Sequence, residues 1–311
     1  MGGGRALFRS LKFSRKVIPH GCCKKTDVSL DGLLELVEAS PIASIKGTVG
    51  GILSLINDPA ASSEELLQLI QLDPPLAAKI LRVTNSSYYA PSKTISDIHQ
   101  ALLWIGFDML KEIILTQKMS EVYSGGTPVG GYSRLHLWRH SLAVALLAKT
   151  IYIREFGEKG NNAYAAGLMH DFGVIVEDQL LHQEFMQLVQ ALENKPQTLS
   201  DGETSVFGYD HGLLGKSLAE NWRFPVELTE SIAFHHNPEG AKEEHRMLVK
   251  TISIADGLMS EHYGYVASPL PDREMLQQYA SDIGLQWDAL PAHVELVREE
   301  MEKIEQKGLI A

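Results

Sequence analysis

Ile45-Lys-Gly-Thr-Val-Gly-Gly-Ile-Leu-Ser-Leu-Ile-Asn-Asp-Pro59 sets Ile45, Val49, Ile52, Leu53 and Ile56 at steps of three and four. That spacing lines one face of a helix and does not fit a strand, whose faces alternate every second residue. The helix is predicted to end near Asn57-Asp58, because the proline at 59 disfavours helical angles in the residue before it. The same pattern continues in both directions. Upstream, Leu33, Leu34 and Val37 begin a stripe that is cut at Ser40-Pro41. Downstream, Ser62 and Glu65 make a capping-box pattern ahead of Leu66, Leu67 and Ile70. Asp73-Pro74-Pro75 interrupts, and Leu76, Ile80, Leu81 and Val83 resume in a helix that runs to Asn85-Ser-Ser-Tyr-Tyr89. Further helices are expected at 95–104, 106–122, 134–155, 161–178, 182–194, 210–221, 226–236 and 245–262, with 272–280 and 293–307 closing the chain. No alternating run of six residues reads as a strand. The fold class is predicted to be all-α.

The run Gly-Gly-Thr-Pro-Val-Gly-Gly after Ser124 reads as a linker, so two helical lobes are expected. The divisions are a basic tail over 1–27, expected to be disordered, a first lobe over 28–124, a second over 132–265 and a helical extension over 266–311. With 44% hydrophobic and 22% charged residues, the composition is that of an ordinary globular protein. No apolar run approaches the roughly 20 residues that cross a bilayer, so no transmembrane segment is expected. The two cysteines, Cys22 and Cys23, are neighbours and make no disulfide framework, which points to a reducing, cytoplasmic setting.

Charge is distributed unevenly. Seven Lys or Arg and no acid fall within residues 1–25; setting them aside from the formal total of −11 leaves −18 on residues 26–311. So acidic a body is unsuited to duplex nucleic acid, which requires a basic footprint. In the tail, Leu7, Phe8, Leu11, Phe13 and Ile18 interleave with the cations, which fits either an amphipathic segment touching an anionic surface or a solvated tail.

The chemistry lies in the second half, where His136, His140, His170-Asp171, His211, His235-His236 and Asp256 provide imidazole and carboxylate groups of the kind that suit iron, manganese, nickel or zinc. His136 and His140, four residues apart on a predicted helix, share a face. Adjacent positions such as His170 and Asp171 diverge by about 100° around a helix axis, so both can ligate only where the chain departs from that helix. Asp210 is a candidate cap for the helix that begins at His211. Asp256 lies in an apolar run, where a lone carboxylate is costly unless paired or bound to metal. Spacing alone leaves two readings open, a shared metal site or scattered hydrogen-bonded histidines. The second reading is assigned to His20, His99, His182, His245, His262 and His293.

The order of these residues resembles the HD superfamily of metal-dependent phosphohydrolases, with His140, His170, Asp171 and Asp256 in the HD positions. His211 and His235-His236 resemble the additional ligands of the HD-GYP branch, which hydrolyses cyclic di-GMP at an iron centre. The first lobe resembles the HDOD domain, in Asp58-Pro59 with Ser62, Asp73-Pro-Pro-Leu-Ala-Ala-Lys-Ile-Leu-Arg82, Asn85-Ser-Ser-Tyr-Tyr89, Ile95-Ser-Asp-Ile98 and Ala101-Leu-Leu-Trp-Ile-Gly-Phe107. So does Leu137-Trp-Arg-His-Ser-Leu-Ala-Val-Ala145, and the match spans about residues 40 to 262. The resemblance implies an all-helical bacterial signalling protein with an HDOD bundle and an HD-like lobe, acting through a protein partner. It implies a divalent metal centre, two ions with iron first and manganese, nickel or zinc as alternatives. His140, His170, Asp171 and Asp256 would hold one ion and Asp171, His211, His235 and His236 the other, with His136 a further candidate.

Two departures bear on catalysis. Asn-Pro-Glu-Gly follows His235-His236 where HD-GYP proteins have a glutamate leading to Gly-Tyr-Pro. The lysine that usually follows the His-Asp doublet and a glycine is replaced in His170-Asp-Phe-Gly-Val174, removing a cation that would steady a transferring phosphoryl group. In an active enzyme Asp171 would be catalytic, bridging two ions about 3.5–4 Å apart and the attacking hydroxide, with a phosphate or nucleotide as ligand. The expectations are a metal-binding scaffold first, a phosphohydrolase of cyclic dinucleotides or nucleotides second, and a metal-free scaffold third. In the first lobe, Tyr88 and Tyr89 are expected to pack at the lobe interface and Asn85 to end its helix with its amide on backbone.

Overall fold

The computed structural model describes residues 29–307, except 59, 194, 267, 268 and 271. The basic N-terminal stretch over 1–27, including His20, lies outside the described residues. The fold is all-α. Among the described residues the only β pairing is one isolated bridge, between Val129 and Tyr132 in the Gly-rich segment.

Local sequence signals account for most helix ends. α1 (Leu30–Glu38) is capped by Ser29. A 3₁₀ turn, Pro41–Ile45, leads into α2 (Lys46–Asn57). The Ser62–Glu65 capping box starts α3 (Ser63–Gln71). Asp73 caps α4 (Pro74–Thr84), and the two prolines fall in its first turn, where an N–H would lack an intrahelical partner anyway. Asn85 closes α4 as its sequence reading required: Nδ2 donates to the carbonyls of Leu81 and Ile95, each at 2.8 Å, and Oδ1 accepts from the Ile95 N–H. α5 (Ile98–Ile105) and α6 (Phe107–Val122) meet at Gly106, whose φ of 83° is a conformation that L side chains seldom adopt.

After the glycine segment come α7 (Arg134–Ile151), a π turn over Tyr152–Phe156, α8 (Asn161–Met169) and α9 (Phe172–Leu180). Periodicity predicted one helix over 161–178; the structure breaks it at His170-Asp171, because Asp171 takes φ −96° and ψ 19°. α10 (His182–Leu192) follows, then α11 (Leu199–Val206), a helix the periodic reading did not include. α12 (His211–Asn221), with Asp210 as its cap, α13 (Val226–Phe234), α14 (Arg246–Tyr263), α15 (Arg273–Asp282) and α16 (Leu290–Gln306) complete the order.

One buried apolar cluster extends from Leu33 in α1 to Met301 in α16, so the helices on either side of the glycine segment share a core. α7 is central: it packs against α8, α14 and α16. α6 joins the first group of helices to the second by packing on α8. Among the described residues no single helix is long and apolar enough to cross a membrane. The bent pair of α1 with residues 41–56 has the length and composition, but Leu33, Val37, Ile42, Ile45, Val49, Ile52 and Leu53 are all buried in the core.

Candidate metal centre

Five segments converge beneath α7. His140 projects from the middle of α7 and Asp256 from the middle of α14. The break between α8 and α9 resolves the geometric problem of adjacent ligands: His170 ends one helix, Asp171 starts the next, and both turn toward the same point. His211 is the first residue of α12, and His235 and His236 follow the last turn of α13. Close approach of α9 to α12 depends on Gly173. A Cβ there would lie 2.0 Å from the His211 carbonyl oxygen, so only glycine lets the two helices bring their ligands together.

The side chains form two groups. His140, His170 and Asp256 make one; Asp171, His211, His235 and His236 make the other. In the first, His140 Nε2 lies 3.1 Å from Asp256 Oδ1, and His170 Nε2 is 3.9 Å from the same oxygen. In the second, His211 Nε2 stands 3.0 Å from His236 Nε2 and 3.4 Å from His235 Nε2. Asp171 divides its carboxylate between them. Oδ2 faces His170 Nε2 at 3.1 Å and His140 Nε2 at 3.7 Å, while Oδ1 faces His211 Nε2 at 3.4 Å and His235 Nε2 at 3.5 Å.

His136 does not join either group. It is exposed on α7, one turn before His140, and its backbone N–H donates to the Ser133 cap. His182 and His293 make ordinary ion pairs with Asp178 and Glu155, and His99, His245 and His262 are likewise outside both groups.

Neighbours orient the ligands. His170 Nδ1 donates to the Gly167 carbonyl at 2.8 Å and His235 Nδ1 to the Ile232 carbonyl at 2.9 Å, so each presents an unprotonated Nε2 to the centre. His211 Nδ1 donates to Glu203 Oε2 at 2.7 Å, and that oxygen also accepts the His211 backbone N–H at 2.9 Å. Burial alone would lower the His211 imidazole; the Glu203 carboxylate outweighs it and pushes the ring up to about 9. Behind it, burial and the adjacent Glu203 push the Glu177 carboxyl well above the usual range, which keeps it protonated. Burial would raise Asp171 too, but His170 foremost, with His235 and His211, holds it well below the carboxylate range. Sequence reasoning missed Glu203 and Glu177; α11 lacks a strong periodic signal, and no spacing links Glu203 to His211 eight residues on. It also missed Tyr265, whose ring is 5.2 Å from that of His140.

The donor set fits a divalent cation. Three imidazole nitrogens within 3.4 Å of one another can share at most a proton or two, and their remaining lone pairs face each other across a buried space. Neutral imidazole and carboxylate are the ligands of iron, manganese, nickel and zinc. Asp171, His211, His236, Asp256 and Tyr265 open on a cavity of about 520 Å³. Asp201 and Asp272 also line it, and among the described residues no lysine or arginine does.

An all-α protein with an HD-type cluster of histidines and aspartates is the class that fold and site define. The chain belongs to the HDOD domain family, whose model matches residues 42–238. It is 26% identical to an HDOD domain protein of unknown function from Geobacter sulfurreducens, at a TM-score of 0.72 over 89% of this chain and 98% of that one. A protein from Marinobacter aquaeolei VT8, provisionally described as acting in signal transduction, has the same fold. It is 22% identical at a TM-score of 0.70, with 85% of this chain and 58% of that one covered. An uncharacterized protein of Treponema pallidum (strain Nichols) is 24% identical over 247 residues, 78% of this chain, which spans 47% of that protein's length.

Proposed function

We propose that this chain is a cytoplasmic signalling protein in which a two-ion centre, iron or manganese by preference, fixes the conformation of an HD-like lobe over 132–265. The HDOD lobe over 28–124 delivers the output through a protein partner. One observation carries this reading: Asp171 faces two ligand groups with separate oxygens, in a cavity that offers no basic side chain to a phosphate. The ligands for two ions are therefore in place, while the protein cations that commonly steady phosphoryl transfer are not. The relationship to the Marinobacter protein, where signal transduction is the provisional role, accords with this.

The second reading is a phosphohydrolase acting on cyclic dinucleotides or nucleotides, and Asp171 in its bridging position favours it. Bound there, two divalent ions would supply Lewis acidity and lower the pKa of water. The chain would contribute Asp171 as the shared ligand, Glu203 to fix the orientation of His211, and Tyr265 as a neutral hydroxyl above the centre. Burial and the nearby Asp171 carboxylate push that hydroxyl well above the usual tyrosine range.

Elemental analysis of untagged protein, paired with assays against cyclic dinucleotides and nucleotides, separates the readings. The expected result is about two divalent ions per chain, their loss in His170→Ala with Asp171→Ala, and no hydrolysis above that double variant. Metal-dependent turnover well above the variant would establish the enzyme; protein without metal under all loading conditions would overturn both.

A further inference from the structure

A second cavity, of about 270 Å³, lies where α6 faces α7, closed by the turn after α4, by α8 and by α16. Its apolar walls include Met109 and Ile113 from α6, Leu142 and Leu146 from α7, and Ile304 from α16. It is closed off from the metal centre by α7 itself, whose opposite side carries His140.

Its polar groups are already paired, with one exception. Thr116 Oγ1 donates to the Glu112 carbonyl and accepts from the Tyr164 hydroxyl at 2.7 Å. Tyr88 donates to Glu300, and its ring packs edge-on to Tyr89 with centroids 4.8 Å apart. Lys149 Nζ donates to Glu112 Oε2 at 2.7 Å. The other oxygen of that carboxylate, Glu112 Oε1, has no hydrogen-bonding partner although the residue is only 5% exposed. An unsatisfied acceptor buried beside a cavity costs about 1–3 kcal/mol unless something donates to it.

We propose that this cavity is a binding site for a small aromatic amine, its ammonium group donating to Glu112 Oε1 and its ring lying among the apolar walls and the Tyr88–Tyr89 pair. The charges fit that ligand and oppose an anion. Glu112 and Glu300 face a single lysine, and that lysine is already held by Glu112. Ring faces of tyrosine attract cations as well. The volume equals about nine waters at roughly 30 Å³ each, at the small end of ligand pockets. An occupant would touch α6 from one group of helices and α7 from the other, so it would act on the junction between them. The site stands independently of whether metal binds beyond α7.

Tyramine is the probe, followed on the full chain by the isoleucine and methionine methyl resonances. 4-Hydroxyphenylacetate replaces the amine by a carboxylate, and 4-ethylphenol removes it. Tyramine is expected to shift Met109, Ile113 and Ile304 in a saturable way, and each comparator to bind at least tenfold more weakly. Glu112→Gln should weaken tyramine at least tenfold. Ile153→Trp, at a position 48% exposed on the cavity rim, should block it while leaving the fold intact, and so keeps the test valid even if Glu112→Gln does not fold. Tyramine that shifts none of these methyls, binds Ile153→Trp as it binds the native chain, or binds no better than 4-hydroxyphenylacetate would overturn the proposal.

Discussion

Glu203 shows how one residue can prepare a metal site without touching the metal. Its Oε2 accepts from both the ring and the backbone of His211, so the imidazole has one orientation before any ion arrives. Glu203→Gln keeps the size of the side chain and removes the charge. It should weaken metal affinity by about 10–100-fold, the usual cost of losing a carboxylate behind a ligating histidine. His136→Ala, in contrast, should leave metal content unchanged, because that side chain is exposed and outside both ligand groups. Titration of chelator-stripped protein with manganese or ferrous iron measures both; equal losses in the two variants would contradict the geometry. Seven of the eight histidine and aspartate positions singled out in the sequence come together here, because residue type and order along the chain are sequence properties. What separates His136 from His140 is not: four residues apart they share a face in the abstract, and only the packing of α8 and α14 on α7 shows where the centre lies. Glu177, Glu203 and Tyr265 meet the site through tertiary contacts alone, which no local pattern encodes.

At the scale of elements, most helices were readable because each carries its own stop and start. The exceptions are informative. α8 and α9 read as one periodic segment, and it is the Asp171 backbone, forced open where Gly173 meets α12, that divides them. α4 offers a test of the capping chemistry. Asp73 accepts the Leu76 N–H at 3.0 Å and pairs with Lys118 Nζ at 2.5 Å. Burial would raise its carboxyl, but the Lys118 ammonium and the Leu76 N–H outweigh it and hold the group below its ordinary value. A carboxyl lowered on folding stabilises above its unfolded pKa, about 3.9, and the benefit disappears as pH falls through the folded value. Asp73→Asn keeps a capping oxygen and loses the ion pair. Its deficit in urea unfolding should be about 1 kcal/mol near neutral pH, the group being partly screened, and should shrink toward zero near pH 2. A deficit of the same size at both pH values would assign the effect to the cap instead.

For the whole molecule, the ligands tie α7, the α8–α9 break, α12, α13 and α14 to one point within a core shared by all the helices. Binding confined to the folded state adds about 2.7 kcal/mol at a hundredfold excess over Kd. Chelation should therefore lower Tm by on the order of 5 °C or more, in a single transition because the core is continuous. Calorimetry with and without EDTA decides it, and a metal-independent Tm would argue against a centre of this kind. The ordering of ligands along the chain has a further consequence, in time. During synthesis His140 emerges first and Asp256 last, and every later ligand must wait for its helix. A nascent chain can hold an imidazole or two ready, but the Asp171 carboxylate acquires both sets of neighbours only after α14 has been made and has folded back onto α7. Loading of the complete centre thus reports that synthesis of this half of the molecule has finished.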